Sequence, residues 1–173
     1  SMDSEYVVFS DIGGFFSLDV GDAADDDAIS WVAATGELNE CLDLVSNRDL
    51  QIFTASSERY VPTYWNQAIT PTNVQIRKQT PYGSEHIEPM PVDGATIFVQ
   101  RNGKIVREYL FTDTEEAYTS TAVSTIASHL ISNPKYMAVV SCGFGLPDSY
   151  AAITSGTGDL VLVSPNRAET RAS

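Results

Sequence analysis

The chain has 173 residues, 43% of them hydrophobic, and a net charge of −13. That length supports one good core or two small ones. The acidity argues against a nucleic-acid-binding surface, which needs clustered Lys and Arg. No apolar run reaches the roughly 18 residues of a membrane span, and no signal peptide is visible, so no membrane partner is expected. Tyr, Phe, Val, Ile and Thr are plentiful, which favours strands.

Ser1-Met2 reads as a tag scar, and residues 1–5 are expected to be a disordered start. Tyr6 to Phe9 begins a strand, Asp11 to Gly14 turns, and Phe15 to Leu18 returns. Asp19 to Asp27 is an acid-rich loop, solvated or, on the sharper reading, a Ca²⁺ site, although the EF-hand spacing is absent. Ala28 to Ala34 reads as a buried strand centred on Trp31. Leu38, Cys41, Leu42 and Val45 stand at helical spacing and predict a short helix or turn over Glu37 to Val45.

Leu50 to Phe53 is a strand, Ala55-Ser56-Ser57 its turn, and Arg59 to Val61 its return. Thr63 to Pro71 is a loop carrying Tyr64 and Trp65, a candidate contact patch or a cap on the core. Asn73 to Thr80 alternates as a half-buried strand. Pro81-Tyr82-Gly83-Ser84 is a turn. Met90 to Phe111 then predicts a hairpin. Apolar residues run to Val99, Arg101-Asn102-Gly103-Lys104 turns the chain, and Ile105 to Phe111 runs back. Asn-Gly favours a type I′ turn, which needs φ > 0 at both central residues.

Val123, Ile126, Ala127, Leu130 and Ile131 follow an amphipathic pattern, predicting one short helix near 119–131 that ends at Asn133-Pro134. Lys135 to Ser141 is a strand, and Ser149 to Thr154 with Leu160 to Val163 is a last hairpin about Ser155 to Gly158. Residues 165–173 read as a polar tail, leaving 6–164 as a single β-rich domain of about four hairpin units. The centres of the first arms, Phe9, Phe53, Phe98 and Ile153, recur at about 45-residue spacing, longer only in the last interval. The expected fold is mainly β: antiparallel hairpins at that period, β-propeller-like, open or partial propellers included, with a β-sandwich as the alternative.

No catalytic constellation, cofactor motif or metal-ligand spacing emerges, and no enzymatic role is expected. Glu85-His86-Ile87-Glu88 holds only a local pair of ligand types, and His129 falls on the expected helix. Cys41 and Cys142 lie far apart with no CxxC and read as buried thiols. Gly143-Phe144-Gly145 has no nucleophile between its glycines. Glu37 with Glu40, or Glu115 with Glu116, has no spacing that fixes a glycosidase pair. Arg77, Arg101 and Arg107 are expected to pair with acids.

An ordered series of short motifs carries a resemblance. It comprises Phe9 to Phe15, Asp25 to Ile29, Glu37 to Glu40 and Leu44 to Glu58, then Thr70-Pro71-Thr72-Asn73, Arg77, Gln79-Thr80 and Tyr82-Gly83-Ser84. It continues through Pro89, Val92, Gly94, Phe98-Val99-Gln100-Arg101, Gly103, Val106-Arg107-Glu108 and Thr121 to Leu130. Over roughly residues 6–160 the chain resembles the nozzle, or tail tubular protein B, family of short-tailed bacteriophages. The resemblance implies a virion structural protein of the phage tail, with β-propeller-like domains ringed around the DNA ejection conduit. It implies a homo-oligomeric ring, other tail and portal-adaptor proteins as partners, and DNA that passes without specific binding. It implies a location in the virion tail after synthesis in the host cytoplasm. Tyr82, Gly83, Phe98, Gln100, Arg101, Gly103, Arg107 and Glu108 become the structural motif. Family members continue through further strands after the segment matching Asp159 to Val163. The alternative function is a module that recognises a host-surface glycan or receptor.

Overall fold

A computed structural model of the chain describes residues 6–11, 13–22, 24, 26–32, 40–63, 69–124, 131–141 and 149–163. The fold is mainly β, in four antiparallel sheets, and the described residues contain no helix. The chain divides into two compact units, one ending at Ser84 and one beginning at Glu85.

In the first unit, β1 (Tyr6–Phe9) pairs with β2 (Ile29–Val32). A four-stranded meander follows: β3 (Cys41–Ser46), β4 (Leu50–Thr54), β5 (Glu58–Val61) and β6 (Arg77–Thr80), hydrogen-bonded in that order. The two sheets share a core of Val7, Ile52 and Val61, with Phe9, Trp31, Leu50, Val74 and Ile76 against it. Strands β4 and β5 are buried almost throughout, so both faces of the middle of the meander are covered.

The second unit repeats the plan. β7 (Met90–Val92), β8 (Ala95–Val99), β9 (Val106–Thr112) and β10 (Ala117–Ala122) form a second four-stranded meander. β11 (Pro134–Ser141), β12 (Ser149–Ser155) and β13 (Leu160–Val163) form a three-stranded one. Ile97, Val99 and Val106 from one sheet and Met137, Ile153 and Val163 from the other meet in one core. Burying each such side chain contributes about 1.5–3 kcal/mol. The opposite face of β8–β10 is aromatic. Phe98 meets Tyr109 edge-on at 6.5 Å, and Tyr109 stacks on Tyr118 at 4.6 Å.

Three expectations need correction. The helical spacing over Glu37 to Val45 is a strand in its described part, β3. A bulge between Cys41 and Asp43 adds one residue to the strand and breaks its alternation, which imitates a helix. The helix near 119–131 does not begin at 119, because Ala117–Ala122 pairs in register with β9. The Thr-Ser-Thr run there suits a pleated edge, and residues 125–130 lie outside the described residues. The strand over Asn73 to Thr80 shortens to β6, because Asn73 accepts the Thr70 amide at 2.7 Å and closes a turn ahead of it.

The type I′ turn also sits elsewhere. Asp93 (φ +47°) and Gly94 (φ +83°) join β7 to β8 in a two-residue loop, so the expected first arm is itself a hairpin. The Asn102-Gly103 loop is wider. Gln100 donates to the Ile105 carbonyl at 2.8 Å, Gly103 to the Gln100 carbonyl at 2.8 Å, and Gly103 has φ +64°.

Candidate functional site

The motif residues Tyr82, Gly83, Phe98, Gln100, Arg101, Gly103, Arg107 and Glu108 do not converge on one cleft. Several of them fasten the sheets. Tyr82-Gly83-Ser84 forms a strap over the β4–β5 turn. The Ser84 amide donates to the Thr54 carbonyl at 2.9 Å. The Tyr82 amide donates to Glu58 Oε2 at 3.4 Å. Glu58 is fully buried, and the Thr80 hydroxyl donates to the same oxygen. A buried carboxylate requires such donors, because an unsatisfied one is costly. Under the strap, the Thr54 hydroxyl donates to the Ser57 carbonyl at 2.7 Å and accepts the Ser57 amide at 3.0 Å.

In the second unit Arg107 donates to Gln100 Oε1 at 2.8 Å and to the Ser120 carbonyl at 3.2 Å, tying the β8–β9 loop to β10. Glu108 stands mid-strand, opposite Ile97 and Thr121. Arg101 is exposed in the β8–β9 loop. Arg77 is exposed and donates to Gln75 Oε1 at 2.8 Å.

Tyr64 and Trp65 lie outside the described residues, as do Glu37, His129, Cys142 and Gly143 to Gly145. Glu115 and Glu116 occupy the exposed β9–β10 turn. Two carboxylates of the acid-rich loop turn back onto their own backbone. Asp27 accepts the Ala24 amide at 2.7 Å, and Asp19 accepts the Gly21 amide at 3.2 Å. Among the described residues no three His, Cys, Asp or Glu side chains gather as a metal site. No described helix is long and apolar enough to cross a membrane.

Cys41 is a free, half-buried thiol in the first unit. Burial, and secondarily the Asp43 charge beside it, push the thiol above the ordinary cysteine range, so its thiolate forms only at more alkaline pH.

Described residues of the second unit line a polar cleft of about 310 Å³. Glu85 and His86 line one side, Asn102 to Lys104 another, and Asn133 to Lys135 a third, with Ile87 also contributing. The sequence drew attention to His86 and to Asn102-Gly103 separately. Lys104 was legible only as a turn residue, Asn133 as a helix end and Lys135 as a strand start, because the three segments meet only where the β7–β10 and β11–β13 sheets pack together. No protein-family model matches the chain, and no curated protein matches it.

Proposed function

We propose that the chain is a structural component of a phage tail assembly. Its sheets act as propeller-like blades beside the conduit through which DNA leaves the particle. Its partners are further copies in a ring and other tail and portal-adaptor proteins. The resemblance over residues 6–160 supports this reading, and so does the mechanical work of the residues that carry it.

The observation that carries the proposal is the outer face of the β11–β13 sheet. Its inner face, with Met137, Ile153 and Val163, is in the core. Its outer face presents Tyr136, Val140, Leu160 and Leu162, with Tyr136 76%, Leu160 63% and Leu162 59% exposed. The register aligns them: Tyr136 lies opposite Thr154, and Thr154 opposite Leu160. Stacked sheets cannot bury their faces alone, and a terminal one without a polar outer face is built to receive a neighbour. In the first unit, Tyr6 and Val8 on the outer side of β1 form a second apolar edge, and Phe15 and Phe16 beyond it are almost fully exposed. The net charge of −13 suits a conduit component, since it repels phosphate and lets DNA slide.

Gold-labelled antibody raised against the chain is expected to decorate the tails of the short-tailed phage particles that carry it. Undecorated tails, with the chain left in the lysate after particles are removed, would overturn the reading.

A further inference from the structure

The geometry points to the cleft of the second unit as a binding site for a sugar bearing one carboxylate or phosphate. This goes beyond the structural role and is independent of it.

Charge is the first argument. The chain has three lysines and a net charge of −13, yet two of the three, Lys104 and Lys135, line this one cleft. Both are exposed, and among the described residues neither ammonium makes an ion pair. Two cations that line one cleft, with Glu85 the single carboxylate among its lining residues, attract an oxyanion, and charge-assisted hydrogen bonds to it are the strong ones. The two asparagines lie on separate walls and add amide donors. Glu85 supplies an acceptor for hydroxyl groups.

Shape is the second argument. Ile87 and Pro134 are buried side chains that give the cleft an apolar patch against which the C–H face of a sugar ring can pack. The volume of about 310 Å³ lies at the small end of ligand pockets, which begin at about 300 Å³. That admits a monosaccharide. A nucleic-acid backbone instead needs a track of several cations along a groove.

Rigidity is the third argument. The Glu85 amide donates to the Val99 carbonyl at 2.8 Å, and the Gly156 amide donates to the Asn133 carbonyl at 2.9 Å. The Lys104 amide donates to Asn102 Oδ1 at 3.0 Å. A β-carbon at Gly103 would lie 3.6 Å from Pro134 Cδ and 3.7 Å from Glu85 Oε2, so the loop abuts both neighbouring walls. Walls fixed in this way lose little freedom when a ligand enters.

The test is an amide NMR titration of the chain with glucuronate, glucose 6-phosphate, glucose, inorganic phosphate and an acidic peptide. Glucuronate and glucose 6-phosphate are expected to shift the His86, Gly103, Lys104 and Lys135 amides. Glucose should leave them in place, and inorganic phosphate should bind more weakly than the sugar phosphate. In the Lys104→Gln/Lys135→Gln variant, affinity should fall at least about tenfold. Both positions are exposed, so the rest of the spectrum should be retained, and Lys135→Gln alone should give a partial loss. The proposal is overturned if no ligand shifts these amides or if glucose binds as well as the charged sugars. It is also overturned if inorganic phosphate or an acidic peptide binds as tightly as the charged sugars, or if the double variant binds like wild type.

Discussion

Replacing Phe98 by alanine is expected to remove about 3–5 kcal/mol from the stability of the second unit. Phe98 is fully buried in the middle of β8. Its ring stands at 88° to Tyr109, which lies nearly parallel to Tyr118 at 12°, and Tyr118 meets Phe111 edge-on at 5.1 Å. Truncation removes the transfer energy of the ring, leaves a cavity between paired strands, and takes away one partner of an aromatic row. A domain of this size has about 5–15 kcal/mol in total, so the loss is a large share of it. Urea unfolding followed by circular dichroism, with amide exchange on β8 and β9 as the local readout, measures it. Phe98→Leu keeps most of the volume and should cost much less. Equal midpoints for wild type and Phe98→Ala would mean that the aromatic row is not a core.

Replacing Gly83 by alanine should cost the first unit about 3 kcal/mol or more, and the contrast with Gly94 shows why. Both glycines have positive φ, +71° and +83°, where an L side chain costs about 1–2 kcal/mol. Around Gly94 there is nothing for a β-carbon to meet within 4 Å, so the conformational term is all that Gly94→Ala loses. At Gly83 the same atom would lie 2.3 Å from the Ala55 carbonyl oxygen and 2.8 Å from its carbon. Ala55 has little room to retreat, because its amide donates to the Glu40 carbonyl at 2.9 Å and the Thr54–Ser57 hydrogen bonds knot the turn beside it. The strap must therefore lift, exposing Glu58. Tryptophan fluorescence during urea unfolding reads this unit, since Trp31 and Trp65 both precede Ser84. Gly83→Ala should lower that midpoint by more than Gly94→Ala lowers the midpoint of the second unit, which amide exchange on β7 and β8 reads. The reverse order would refute the strap.

Residue patterns revealed the sheets more readily than the turns that connect them. Leu50 to Val61 was legible because β-branched and aromatic arms flank a short Ala-Ser-Ser turn, and β4 and β5 pair there. Gly83 was legible as a turn glycine, although the reason for it, the carbonyl of Ala55, is remote in sequence. The Asp93-Gly94 turn was hidden inside what looked like one apolar arm, because the louder Asn102-Gly103 signal sits at the far end of the same strand, β8. The apparent helix spacing of Cys41 and Val45 came from a bulge, a feature set by pairing with β4 and not by local preference. The cleft was illegible for a similar reason. Its lysines lie on segments separated by a whole strand pair, and only the folded second unit brings them together.

The β11–β13 sheet is proposed to end in a contact face. Sedimentation equilibrium over a wide concentration range tests it most directly, comparing the chain with its Leu160→Lys/Leu162→Lys variant. Both leucines are exposed, so the charges should leave the fold intact. With no other protein present to cover that face, the wild-type chain should self-associate above its 18.8 kDa monomer mass, and the variant should remain at 18.8 kDa. A wild-type chain that stays monomeric throughout, or a variant that associates equally well, would contradict the account.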